Sequence, residues 1–242
     1  MIKIIIYLMK FFIALFLAIL LSSCGGGFDG IQGSGNVTTQ TRNLDQSFDK
    51  IQVNNGIDVV IEQSETKSVA VEADDNLLEI IETRVEKGVL IIESNRSYNS
   101  EKTPKVTVKI PVITGLDATS GSHIESHNTL ITENIKVISS SGSGIDINVE
   151  AGFISLVTES GSNIQASGKA IKLETNSESG SEISAGNLMV NEVDAEASSG
   201  SSTTVNPIVS LKANASSGSS ISYRGTPKSI SKEEHSGGSV AN

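Results

Sequence analysis

The chain has little with which to cross-link itself or to do chemistry. Of its 242 residues one is cysteine, none is tryptophan, three are histidine and four are proline, and aromatics make up 4%. A lone cysteine excludes a disulfide framework, so stability has to come from burial and backbone pairing. With so few aromatics, the core must be built from Ile, Val, Leu and Ala. Basic residues are also scarce: 18 Lys and Arg stand against 28 Asp and Glu, a net charge of −10. That balance argues against nucleic acid and bare anionic membrane surfaces as partners. No G-x-S-x-G elbow occurs among the serines. The arginine clusters with which polyuronate lyases neutralise acidic sugar are missing too.

What is present begins with an export signal. Lys3 and Lys10 precede a dense apolar run, Phe11–Leu20, so residues 1–23 read as a signal peptide. Its end, Leu21-Ser22-Ser23-Cys24, resembles the lipobox of bacterial lipoproteins, which implies lipidation of Cys24 and attachment to a membrane. The signal holds two lysines and no acid, so its removal takes the net charge to about −12. Residues 24–35 read as a tether. Gly25 to Gly30 matches G-x-G-x-x-G, yet it follows a signal rather than a strand and opens no helix.

From Phe48 to Pro111 apolar and polar residues alternate: Ile51 and Val53; Ile57, Val59 and Ile61; Val69 and Val71; Val106, Val108 and Ile110. This predicts half-buried strands. Asp74 to Ile81 carries an acidic cap before two apolar pairs, which suits a helical turn. Gly88, after Glu86-Lys87, suits a hairpin.

Residues 116–242 repeat. Ser-Gly-Ser recurs with central glycines at 121, 142, 161, 180, 200 and 218, and a degenerate copy, Ser236-Gly237-Gly238, follows; the steps are 21, 19, 19, 20, 18 and 19. A period of about 19 marks a repeat array rather than a set of linkers. Numbered from each glycine, odd offsets are apolar or small and even offsets are polar. Three residues after the glycine stand Ile124, Ile145, Ile164, Ile183, Thr203, Ile221 and Val240; Lys136, Lys172, Glu174, Asp194 and Lys212 occupy even positions. One strand pattern per repeat, too short to bury its own apolar face, is what a β-solenoid stacks. The serines on either side of each glycine are expected to line a tight corner, with hydroxyls bonding along the column or to backbone left unpaired by the bend. Hexapeptide helices would show similar thirds, and calcium-binding nonapeptide solenoids need G-G-x-G-x-D in series. Neither pattern is present. The fold expected is all-β, a right-handed parallel β-helix whose earlier half, residues 36–115, continues or caps the rungs of 116–242.

Several stretches together resemble one family. Gly33-Ser34-Gly35-Asn36-Val37, Phe48-Asp49-Lys50-Ile51-Gln52-Val53, Gly56 to Gln63, Val71 to Leu78, Gly88 to Ile92 and the Ser-Gly-Ser repeats resemble the putative auto-transporter adhesin head (GIN) domain family. The resemblance spans about residues 33 to 225. It implies an exported lipoprotein of Bacteroidetes type with a right-handed β-helix, no recognised catalytic residues and a role in cell adhesion. The Gly-Ile-Asn of the family name reads Gly144-Ile145-Asp146 here, so no binding residue is carried over.

The residues themselves offer little catalysis. His123 and His127 lie four apart on a strand, where that spacing does not gather a metal as it does on a helix. Outward acids, Glu159, Glu174, Glu178, Glu182, Asp194 and Glu196, could stack into the carboxylate pairs of a glycosidase, but they read better as solubilising charge. No enzyme, cofactor or metal is expected. The recognition surface expected is the column two residues after the glycine, Asn163, Glu182, Ser202 and Ser220, with Tyr98 and Tyr223 as aromatics for sugar stacking. The partner would be a surface glycan or protein, with the membrane held through the lipid anchor. The alternative is an envelope scaffold that assembles into a homo-oligomer through an uncapped last rung.

Overall fold

Each rung turns on a pair of residues in the left-handed region. Ser141 and Gly142 have φ of 54° and 73°, Ser160 and Gly161 55° and 69°, and the same pair recurs in every repeat to Ser236-Gly237. Two successive positive φ values mark a type I′ turn, closed here by bonds such as Ser143 N to Ser140 O and Ser201 N to Ser198 O, both 3.2 Å. The turns then bond to one another. The N–H of Gly142 donates to the carbonyl of Ser160, that of Gly161 to Ser179 and that of Gly180 to Ser199, at 3.1–3.2 Å.

The computed structural model describes Lys10 and residues 30–242. The expected signal peptide apart from Lys10, together with the expected lipidation site Cys24 and residues 25–29 of the expected tether, lies outside the described residues. Every element from residue 30 onward is a strand, and the whole is a parallel β-solenoid of about seven turns with rungs of roughly 19 residues. The long strands Gly144–Thr158, Asn163–Ser177, Glu182–Ala197 and Ser202–Ser216 each run from one Ser-Gly corner, round a second corner, to the next. They therefore contribute to two faces: the first follows the Ser-Gly turn and the second leads into it.

Register carries the core from rung to rung. On the first face Val106, Val59, Ile124, Ile145, Ile164, Ile183, Thr203, Ile221 and Val240 stack in one column. On the second, Leu90, Ile51, Leu116, Val137, Leu156, Thr175, Ala195 and Ala213 form another. Both columns are buried along their length. The inward parity read from the repeats is thus correct, and it extends back through residues 50–110.

The serine columns divide, contrary to the expectation that both face a corner interior. The serine after each glycine is buried, as Ser143, Ser162, Ser181, Ser201 and Ser219; the one before it is exposed. The turn itself is the reason, because two left-handed residues swing outward together. Each buried hydroxyl holds the bend: Ser162 Oγ donates to Ser139 O at 2.6 Å in the preceding rung and accepts from Glu159 N at 3.2 Å. The glycine is needed for its φ rather than for close approach, since nothing lies within 4 Å of a Cβ built on Gly161.

The ladder of corners runs on to the N-terminal side of residue 115. Asn55-Gly56, with φ of 65° and 68°, is a further corner of the same kind, and Gly56 N–H donates to Ser120 O at 3.0 Å. Asn-Gly is the dipeptide that type I′ turns prefer, so replacing Ser160 with Asn should stabilise the chain by about 0.5 kcal/mol, seen as a raised urea midpoint. Below Asn55 the ladder is closed by Tyr98, whose hydroxyl donates to Asn55 O at 2.8 Å. Burial, aided by the charge of Asp58, pushes the Tyr98 pKa up to about 12, which keeps the donor protonated.

Antiparallel strands seal the N-terminal end: Ile81–Glu86 on Val89–Ser94 through the Lys87-Gly88 hairpin, then Ser68–Asp74 on Lys105–Ile110, and Val37–Arg42 on Ser68–Asp74. Asp74 to Ile81 forms consecutive turns, with Leu77 N bonded to Asp74 O at 2.8 Å and Ile81 N to Leu77 O at 3.2 Å, but no helix. The expected tether is too long, because its last residues dock: Ile31–Gln32 pairs with Tyr98–Asn99, Ile31 packs on the core, and Ser34 donates to Asp75. The last rung is not bare either. Lys232 and Glu234 fall at the ends of two of the inward columns of the second face. Lys232 Nζ lies 4.7 Å from the Tyr223 ring centroid, and Glu234 accepts from Val240 N at 2.7 Å. Inward charge of this kind blunts an open edge.

Candidate functional site

The expected column is assembled by register. Asn163 pairs with Glu182, Glu182 with Ser202 and Ser202 with Ser220, and the column runs back through Gly144, His123 and Asp58 to Lys105. It is a flat polar strip. His123 Nε2 lies 3.5 Å from Asp146 Oδ2, and burial raises the Asp58 carboxyl pKa against the opposing charges of His123 and Lys105. Tyr223 leaves this surface altogether: at the fourth residue of its short strand it faces inward, is 8% exposed, and lies beneath Lys232. Tyr98 is taken up in closing the turn ladder. Among the described residues no three His, Cys, Asp or Glu side chains gather as a metal site. Glu174 and Asp194 are neighbours across rungs, and each is paired on open surface, with Lys172 at 2.6 Å and Lys212 at 3.1 Å.

A concave part of the molecule lies on the second face instead. A trough of about 910 Å³ is bounded on one side by the link 111–114 and the start of the strand Leu130–Ser139, and floored by outward residues of Lys50–Val53, Gly115–Ala118 and the strands above them. Its distinctive feature is apolar side chains at water-facing offsets. Ile138 stands four residues before Gly142 and Phe153 eight before Gly161, both even, while the same face farther along carries Glu174, Asp194 and Glu196. Val112, 52% exposed, and Ile131, 65% exposed, flank the mouth.

Those walls are fixed by one amide. The side chain of Gln63 accepts from Ile131 N at 2.6 Å and donates to Ile131 O and Pro111 O, both at 2.9 Å, as a strand residue would. Asn128 does the same for the backbone of Gln63, accepting from its N–H and donating to its carbonyl at 2.9 Å each. On the floor, Lys50 and Lys136 stand on either side of Gly115 in register, with Asp117 two residues along. Burial raises the Asp117 carboxyl pKa, and Lys136 opposes the shift. Beyond the trough the apolar line continues round the second corner as Ile171, Met189 and Ile208, so among the described residues five of the seven large exposed hydrophobics lie along this one edge. A clustered patch of that kind marks an interaction surface, whereas scattered ones do not. Sequence reading passed over Phe153 and Ile138, although the parity rule that placed the core also places them outside.

Comparison with known proteins agrees with the fold. No curated protein sequence matches the chain. Among solved structures it is similar to a putative adhesin from Bacteroides fragilis, with a TM-score of 0.82 and 23% identity over 88% of this chain and 100% of that one. It is similar also to a putative adhesin from Parabacteroides merdae, at 0.72 and 19% over 87% and 98%. A putative lipid binding protein from Parabacteroides distasonis matches at 0.70 and 20%, again over 87% and 98%. A family model matches residues 47–227, from just before the Lys50–Val53 strand to the end of the last Ser-Gly-Ser rung. On that match the chain belongs to the family described as putative auto-transporter adhesin, head GIN domain.

Proposed function

We propose that this chain is a non-catalytic adhesin of the outer cell surface, lipid-anchored through Cys24 in the outer membrane, which recognises its partner with its trough-bearing face. The observation that carries the reading is the trough: Ile138 and Phe153 stand apolar at outward positions beside walls that Gln63 holds in place, which is the preorganisation a binding site needs. The flat column of Asn163, Glu182, Ser202 and Ser220 on the other face offers hydrogen bonds but no concavity, and serves at most as a secondary contact. Anchoring supports the same orientation. Five residues lie between Cys24 and Gly30, and the link spans at most about 20 Å, so the strapped N-terminal end sits against the bilayer and the Lys232–Glu234 rung points away.

Scaffolding by end-to-end stacking is the weaker alternative, because Lys232 and Glu234 close the core at the end that such a stack would use. The test uses cells that express the full chain and adhere to a target surface. Mild protease on intact cells is expected to remove the solenoid and the adherence together, and Ile131→Asp, still surface-exposed, should reduce adherence about tenfold. Protection of the chain until the outer membrane is opened would transfer the reading to a periplasmic scaffold.

A further inference from the structure

The trough combines two features that point to one class of ligand. Its upper side is an apolar ledge, Val112 and Ile131 facing Phe153, on walls locked by Gln63. Its floor holds Lys50 and Lys136 astride Gly115, where the absence of a side chain lets the Lys50 stem lie across the strand, Cγ being 3.1 Å from the position of a glycine Cβ. Among the described residues no carboxylate comes within ion-pair distance of either lysine, although farther along this face Lys172 and Lys212 are both paired, at 2.6 Å and 3.1 Å. In a chain with ten more negative than positive charges, two ammonium groups without an ion-pair partner stand beside an apolar ledge, while Asp117, Glu133 and Glu174 also line the trough. A glycan would need rows of hydroxyl partners and more than one aromatic platform. An acidic polymer would need a longer run of cations.

We infer that the trough binds an anionic amphiphile, a monomeric long-chain carboxylate whose chain lies along Val112, Ile131 and Phe153 and whose head is held between Lys50 and Lys136. Lys172 Nζ, 5.6 Å from the Phe153 ring centroid, stands at the far end as a paired charge, since Glu174 holds it at 2.6 Å. The inference rests on the trough being the recognition site, and it names what that site takes.

The experiment irradiates the full chain in its membrane with a diazirine-bearing dodecanoate and maps the labelled peptides. Label is expected in residues 111–138 and 150–157, displaced by unlabelled dodecanoate. It should fall about tenfold in Lys136→Gln, the value of one lost charge-assisted contact, and as far or farther in Ile131→Asp. Both side chains are outward on the rungs, so both variants should melt with the parent. Lys212→Gln, on the same face but held by Asp194, should label normally. Label spread evenly over exposed apolar residues would overturn the inference, as would equal labelling by a diazirine dodecanol. Displacement by phosphatidylglycerol vesicles but not by dodecanoate would also overturn it, by assigning the patch to a bilayer surface. If Ile131→Asp abolishes adherence while dodecanoate leaves no label, the trough remains the recognition site and only the ligand class falls.

Discussion

Replacing Ile164 with Asp should unfold the solenoid at temperatures where the parent is stable. Ile164 is fully buried between Ile145 and Ile183, in the middle of the inward column of the first face. A carboxylate there has no partner, and the rungs on either side leave it no route to water. An uncompensated buried charge together with the lost packing costs at least about 4 kcal/mol, against a total stability for a domain of roughly 5–15 kcal/mol. Asn163, the next residue back, makes the control. It faces solvent beside Glu182, so Asn163→Asp adds a charge in water and should shift stability by no more than about 0.5 kcal/mol. Circular dichroism melts of the two variants separate the cases. Equal melting temperatures would refute the assignment of faces on which the core, the trough and the polar column all depend.

Why that parity could be read from the sequence, and the rest could not, follows from what repeats. A side chain that points inward must meet its equivalents above and below, so the repeats display it several times over, from Ile124 to Val240. The serine columns were half legible. Register showed that they stack, but the direction each faces is set by φ, and nothing in Ser-Gly-Ser says that both of its first two residues are left-handed. Asn55-Gly56 escaped as a rung because Ile57 stands where later rungs have serine, so the corner loses its signature while keeping its geometry. The trough was hidden for another reason. Val112 and Pro111 belong to an irregular link, and Gln63 lies 68 residues from Ile131, its partner in the wall. Only Phe153 and Ile138 were visible, as exceptions to a pattern whose regular members drew the attention.

Gly168→Ala should be among the most damaging replacements of a glycine hydrogen by a methyl group in the repeats. Gly168 has φ of 117°, outside the left-handed well that Ser160 and Gly161 share, and a Cβ built on it would lie 2.2 Å from the carbonyl oxygen of Val149 in the preceding rung. That neighbour is backbone and cannot rotate away. The two rungs must separate at the second corner or the residue must flip, either of which breaks the Val149–Gly168 pairing. A cost of about 3 kcal/mol is expected from the strain and the bonds lost. Gly161→Ala is the comparison: its Cβ meets nothing, so the penalty is only that of holding alanine in the left-handed region, about 1 kcal/mol. The two substitutions remove the same entropy from the unfolded chain, and their difference in urea midpoint therefore isolates the contact. Hydrogen exchange should place the damage in 144–158 and 163–177, leaving 50–63 protected, because a solenoid couples each rung chiefly to its neighbours. Exchange that rose throughout the chain would mean that the antiparallel cap and the rungs unfold as one unit.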